Sequence, residues 1–166
     1  MSMDSRTARG AALDTESAGG DAIDMGQLPS LVGFNLRCAQ VAVFQDFNRN
    51  TGGFGISPPQ YGTLILIEAN PGISQSAIAS ALRLDRSTLV QIIDRLEARG
   101  YVVREVSAHD RRSHALKLTE AGRAAMAELK RLVGAHEDRM TRSLSEEERT
   151  TLIALLARIH QGPGDG

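Results

Sequence analysis

Residues 73–119 constrain the rest of this 166-residue chain more than any other stretch. They open with Ile73-Ser74-Gln75-Ser76-Ala77-Ile78-Ala79-Ser80-Ala81-Leu82, where the Ser74 hydroxyl can accept from a free N–H in the first turn of a helix and so serves as its N-cap. Arg83-Leu84-Asp85 leaves room only for a tight turn. Asp85 can then cap a second helix over residues 86–99, which Gly100 stops. Along that helix Leu89, Ile92, Ile93 and Leu96 share one face, while Arg86, Ser87, Gln91, Asp94, Arg95 and Ala98 share the other. The first face can pack and the second stays in water.

After Gly100 the apolar period changes to two. Residues 101–106 and 114–119 read as strands flanking a polar loop, Ser107-Ala108-His109-Asp110-Arg111-Arg112-Ser113. An exposed helix face of hydroxyl, amide and guanidinium groups is matched to base edges and phosphates. An arginine-tipped hairpin can reach the neighbouring groove. The stretch is therefore expected to be a winged helix-turn-helix that takes a double-stranded DNA operator. Ser87, Thr88, Gln91 and Arg95 are the candidates for the major groove, with Arg86 on the same face and Ser74 and Ser76 as phosphate contacts. The bland alternative has Thr88 capping or packing and Arg95 pairing with Asp94 or Glu97.

The net charge of −1 hides an uneven distribution. Residues 83–117 hold eight Lys or Arg against five Asp or Glu, whereas residues 1–27 hold two Arg against five acids. The positive surplus sits on the segment that would meet nucleic acid. One cysteine excludes a disulfide framework within the chain and a multi-cysteine zinc site, and it suits a reducing cytoplasm. The first residues carry neither the basic start nor the apolar run of a secretion signal. The longest aliphatic runs, residues 64–67 and 152–157, fall far short of the roughly 20 residues that cross a bilayer, so no membrane partner is expected.

Residues 1–26 have almost no large apolar side chains, so burial cannot offset the entropy of ordering them. They are expected as a disordered or adaptable arm, with folding over a partner subunit or ligand site as the other reading. Residues 27–56 are expected to supply a dimerisation helix and a loop. Over residues 28–48, Leu28, Leu31, Val32, Leu36, Ala39, Val43 and Phe47 form one apolar stripe and Phe34, Val41 and Phe44 a second. Such a helix packs against its own domain and another subunit, or lies at the centre of a monomer. The following glycines mark a loop. They do not cradle phosphate, because no strand precedes them and no Lys-Ser/Thr pair follows.

Ser57-Pro58-Pro59-Gln60 is a capping box with proline at the first helical position, opening a DNA-binding region of residues 57–119. Residues 120–166 hold two further helices. Thr119 can cap the first, with a stripe of Ala121, Ala125, Leu129, Leu132, Val133, His136 and Met140. Ser145 and Glu148 form a second capping box ahead of Leu152, Ile153, Leu155, Leu156 and Ile159. With the helix over residues 28–48 these make a dimerisation bundle. The expected fold is mainly α with a small β-hairpin wing, a winged helix-turn-helix plus a helical dimerisation bundle.

No enzyme is expected. His136-Glu137 lacks the second histidine of a zinc-protease helix, since Met140 stands in its place, and His109, His114 and His160 have no paired nucleophile or carboxylate. Neither a metal nor a cofactor is expected.

Several motifs resemble the MarR family of transcriptional regulators, over about residues 28–161. Ile56-Ser57-Pro58-Pro59-Gln60-Tyr61 resembles the start of that family's second helix, and Asp85-Arg86-Ser87-Thr88-Leu89-Val90 the start of its recognition helix. Leu96-Glu97-Ala98-Arg99-Gly100-Tyr101-Val102-Val103-Arg104 resembles its helix-to-wing junction. The strongest match is His109-Asp110-Arg111-Arg112-Ser113 with Leu116-Lys117-Leu118-Thr119-Glu120-Ala121-Gly122. The resemblance implies that Asp110 orients Arg112 into the minor groove, with Arg111 beside it as a further DNA contact. It also implies a homodimer on a pseudo-palindrome, most commonly a repressor relieved by ligand.

Residues 28–44 are similar to the first helix of family members that control aromatic-acid catabolism, including those answering to hydroxycinnamoyl-CoA thioesters. That similarity implies a small aromatic effector or an aromatic CoA thioester. Phe34, Phe44 and Tyr61 would stack on the ring and Arg37 would pair with a carboxylate or CoA phosphate, unless these aromatics merely fill the core. One branch of the family senses peroxide through a first-helix cysteine, but its sensor aligns near Gly33. Cys38 is therefore read first as a buried small hydrophobe and second as a redox switch. A winged helix serving as a protein-interaction module is the remaining alternative.

Overall fold

In a computed structural model of the chain, the structure describes residues 23–51, 53–106 and 114–161. The N-terminal arm lies outside the described residues except for residues 23–26. The wing tip, with His109, Asp110, Arg111 and Arg112, lies wholly outside them.

A 3₁₀ turn, Leu28–Ser30, precedes helix α1 (Val32–Asn50). The single helix expected over residues 28–48 is thus broken near Pro29. Leu31 is extended at φ −87°, ψ 127°, and the Asn35 side chain donates back to the carbonyls of Pro29 and Leu31, both at 2.9 Å. Helix α2 (Pro58–Ala69) starts where the capping box is legible, with the Ser57 N–H donating to Gln60 Oε1 at 2.8 Å. Strand β1 (Ile73–Ser74), helix α3 (Gln75–Leu82), helix α4 (Arg86–Ala98), strand β2 (Val102–Val106) and strand β3 (His114–Leu118) follow. Helices α5 (Glu120–Met140) and α6 (Glu146–Gln161) close the chain.

The expected hairpin has a third strand. β1 pairs antiparallel with β3, Ile73 opposite Leu116 and Ser74 opposite Ala115, giving the order β1-β3-β2. Two residues are too few to show a period of two, and Ser74 also caps α3, accepting from the Ala77 N–H at 3.2 Å. β2 and β3 pair from Val102–Leu118 to Val106–His114, so the strands reach the edge of the tip.

One apolar core holds the reading head together. Leu64 and Ile67 of α2, Ile78 of α3, and Leu89, Ile93 and Leu96 of α4 are essentially inaccessible, as are Leu116 of β3 and Met126 and Leu129 of α5. The sequence-derived face of α4 is therefore the buried one. In α5 the stripe is rotated from the expected one. Gly122, Ala125, Met126, Leu129 and His136 are buried while Ala121 is exposed, because the first turn of α5 lies against the helix-to-wing junction.

α1 and α6 are different. Phe47 is the only buried side chain of α1, and α6 has none. Val32 (62 % exposed), Ile153 (59 %) and Ile159 (51 %) show how much apolar surface this chain leaves uncovered on the two helices. Cys38 is exposed as well, so its reading as a buried hydrophobe fails within the single chain: α1 meets the rest of the chain near Phe47, a long way down the helix.

Candidate nucleic-acid interface

The start of α4 is organised by Asp85. Its carboxylate accepts from Ser87 Oγ at 2.5 Å, Thr88 Oγ1 at 2.6 Å and the Thr88 N–H at 2.8 Å. The Ser87 hydroxyl first, then the Thr88 hydroxyl and N–H, hold the Asp85 carboxyl well below the usual carboxylate range. Thr88 is half-buried and its hydroxyl belongs to the cap, which is the capping role weighed against a base contact. Ser87 is exposed but spends its proton on Asp85, so it meets a partner as an acceptor. Arg86, Gln91 and Arg95 project from the exposed face, and among the described residues none of them forms an ion pair or a side-chain hydrogen bond. Ser76 is exposed at the start of α3, sharing a hydrogen bond of 3.0 Å with the cap Ser74.

Arg95 does not pair with Asp94 or Glu97. Both acids are taken by Arg104 of β2, which forks between them. The result releases Arg95 to the surface and ties the wing's first strand to the recognition helix. Lys117 and Glu105 form a further pair at 2.6 Å across β2 and β3. This tie through Arg104 was not legible in the sequence, where its partners are ten and seven positions away and on another element.

Arg83 sits exposed in the turn between α3 and α4 with φ 52°, the left-handed region that disfavours a residue bearing a Cβ. Its N–H and that of Leu84 close the end of α3 on the carbonyls of Ser80 and Ala79. Arg83 thus leaves a positive charge facing water at the turn of the helix-turn-helix.

The candidate effector residues are not brought together by one chain. Phe34 and Phe44 are ten residues apart on α1, about 15 Å along the axis. Phe34 is half-buried, while Arg37 and Phe44 are exposed. Tyr61 lies at the far end of α1, its ring 6.0 Å from that of Phe47, and burial pushes its hydroxyl pKa up. A cavity of about 560 Å³ opens instead between the end of α1, the start of α2 and the second half of α4. It is lined by Asn48, Gly55, Ile56, Ser57, Gln60, Arg95, Ala98 and Arg99. Arg99 also donates to the Phe54 carbonyl, holding the loop against α4. The cations lining this cavity are the two arginines, and Pro58 and Pro59 leave the first two positions of α2 without N–H donors. Their spacing of four was readable in the sequence. The loop closing over them was not.

Among the described residues no group of three or more side chains is placed to hold a metal, and no helix is long and apolar enough to cross a membrane.

Three comparisons with known proteins bear on this geometry. The sequence model of the MarR family matches residues 54–113. A putative transcriptional regulatory protein for the hcr operon of Thauera aromatica is 40 % identical over 137 residues, 82 % of each chain. The transcriptional repressor CouR bound to a 23-mer DNA duplex superposes with a TM-score of 0.80 at 42 % identity, over 84 % of this chain and 99 % of that one. CouR bound to p-coumaroyl-CoA superposes with a TM-score of 0.79 at 40 % identity, over 86 % and 100 %.

Proposed function

The chain belongs to the MarR family, and from that premise we propose that it is a homodimeric repressor released from a pseudo-palindromic operator by an aromatic CoA thioester. The observation that carries this reading is the solvent face of α4, which offers Arg86, Gln91 and Arg95 without an ion pair or side-chain hydrogen bond among the described residues, in a chain so similar to a repressor solved with DNA and with p-coumaroyl-CoA.

In the dimer, two copies of α4 lie in successive major grooves about 34 to 36 Å apart. Ser74, Ser76 and Arg83 contact phosphates, and Ser87 accepts from a base or a backbone water. At the wing tip Asp110 orients Arg112 into a narrow, electronegative minor groove, with Arg111 on the flanking backbone. The ligand's aromatic acyl group rests among the aromatics of α1 and α2, with Phe34, Arg37, Phe44 and Tyr61 drawn from more than one chain, since one chain does not gather them. The Arg95 and Arg99 cavity supplies the positive charge that the anionic part of a CoA ester needs. The protein acts in the cytoplasm, where DNA and acyl-CoA esters meet.

The test is a gel-shift titration against a duplex selected by the protein from a random library. A complex that dissolves with micromolar p-coumaroyl-CoA, but not with CoA or p-coumarate, supports the reading. No retained duplex, or a complex indifferent to every aromatic thioester tried, overturns it. Arg112→Ala is expected to weaken the complex at least about tenfold, the worth of one good DNA contact, while leaving the dimer folded. Affinity equal to wild type by fluorescence anisotropy would count against the wing assignment.

A further inference from the structure

α1 is attached to its own chain at one end. Its single buried side chain is Phe47, and beyond the preceding 3₁₀ turn the element it chiefly packs against is α5. At that contact His136 of α5, 1 % exposed, places Nδ1 2.7 Å from Oδ2 of Asp46, and Arg139 Nη2 donates to the same oxygen at 3.2 Å. The Phe47 ring meets the His136 ring edge-on, centroids 5.5 Å apart at 86°, and lies 6.0 Å from the tilted ring of Tyr61 of α2. One turn on, buried Thr51 ends the helix by donating to the Phe47 carbonyl at 2.8 Å. The two parts of the molecule, the helix with the uncovered apolar surface and the reading head, therefore meet through a polar pair clamped by aromatic rings.

We propose that the Asp46–His136 hydrogen bond is a positioning contact that sets the pitch of α1 on α5 and thereby the separation of the two recognition helices in the dimer. The inference rests on the dimeric, operator-binding reading above. Its physical basis is directionality. Apolar surfaces slide past one another at little cost, whereas a hydrogen bond weakens steeply once its distance or angle is lost. A buried polar pair adds little net stability over a well-packed apolar one, and its best-attested use is to select one register or arrangement.

The leverage is large. From Asp46 to Val32 is about 21 Å at the helical rise, so a swing of about 10° at the contact moves Val32 by about 4 Å. That is on the order of one base-pair step of the duplex. If α1 joins the partner subunit through its uncovered face, the error is passed to the second reading head. Phe47 and Tyr61 extend the contact to α2.

The experiment compares half-site spacing preference with stability. Full-length wild type, His136→Asn and Asp46→Leu/His136→Leu are titrated against the selected operator and against versions with one base pair inserted or removed between the half-sites. Thermal melting and the oligomeric state are measured on the same samples. In His136→Asn the amide nitrogen occupies the place of Nδ1 and can still donate to Asp46, so this variant should keep the wild-type spacing profile. The double leucine variant should melt at or above the wild-type temperature and remain dimeric. It should bind the selected operator about tenfold more weakly, with the preference over the altered spacings flattened to within threefold.

A double variant that is folded, dimeric and wild-type in its spacing profile overturns the proposal and leaves the contact a matter of packing. If the double variant does not fold, Asp46→Ala, which removes the acceptor at the less buried end of the pair, carries the same comparison with the same two outcomes. A wild-type protein that is monomeric, or selects no duplex, overturns the operator reading itself and this inference with it.

Discussion

A Cβ built on Gly122 would lie 2.0 Å from the Tyr101 carbonyl oxygen, so the first turn of α5 sits against the helix-to-wing junction only because that side chain is a hydrogen. The Thr119 hydroxyl closes the same junction, donating to the Gly100 carbonyl at 2.5 Å and accepting from the Gly122 N–H at 2.9 Å. Gly122→Ala is expected to destabilise the fold by about 3 kcal/mol or more, the upper range for overpacking. A urea melt reads this directly, and a midpoint equal to wild type would mean the junction can shift freely. Asp85 works at the opposite end of the reading head. Because its folded carboxyl is held below the ordinary value of 3.8, its contribution is fully present above that pH and is lost as pH falls through the folded value. The melting-temperature gap between wild type and Asp85→Ala should be constant from neutral pH to about 4.5 and narrow below it. A gap that widens in acid would reverse the sign of the assignment.

Elements are joined here by a few specific devices. α4 ends in a paired turn in which the Gly100 N–H reaches the Glu97 carbonyl at 2.8 Å and the Tyr101 N–H the Leu96 carbonyl at 3.0 Å, with Gly100 at φ 70°. The chain is thereby turned into β2 within three residues. Arg104 then ties β2 back to α4 through Asp94 and Glu97. Both acids are exposed by more than a third, so the pairs are worth at most about 1 kcal/mol each in stability. Their effect on DNA should be larger, because they hold the wing at one angle to the recognition helix. Arg104→Gln is expected to shift the denaturation midpoint only slightly and to weaken operator binding about tenfold by anisotropy. Loss of stability in proportion to loss of binding would instead make Arg104 a folding residue.

At the scale of the molecule, the reading head is a closed core and the bundle is open. α1 and α6 carry Val32, Val41, Phe44, Leu152, Ile153 and Leu155, each more than a third exposed, which is what a chain leaves for a second copy of itself. Ile153→Asp is expected to yield a monomer by light scattering, with a retained melt of the reading head and operator affinity reduced at least a hundredfold, since two half-sites are no longer joined. A dimer of unchanged affinity would remove α6 from the interface. Binding by the intact dimer should fall by about 0.9 log units per log unit of salt for each phosphate contacted.

What could be read in the sequence was local. Ser74, Asp85, Thr119 and Ser145 were recognisable as caps because a cap and its N–H partners lie within three residues. The buried face of α4 followed from a 3.6-residue period, and the stop at Gly100 from one residue's backbone freedom. What only the tertiary structure decided was which distant groups meet. Two-residue β1 exists because β3 comes alongside it, and Asp94 and Glu97 belong to Arg104 because β2 folds back over α4. His136, a metal-ligand near miss in one dimension, is the buried partner of Asp46, ninety residues away. Phe34 and Tyr61, grouped by their chemistry, are held apart by the length of α1. Period and capping report on a residue's own helix or strand, while pairing across the fold depends on how the shared core of α2, α4, the sheet and α5 orients elements that share no sequence signal.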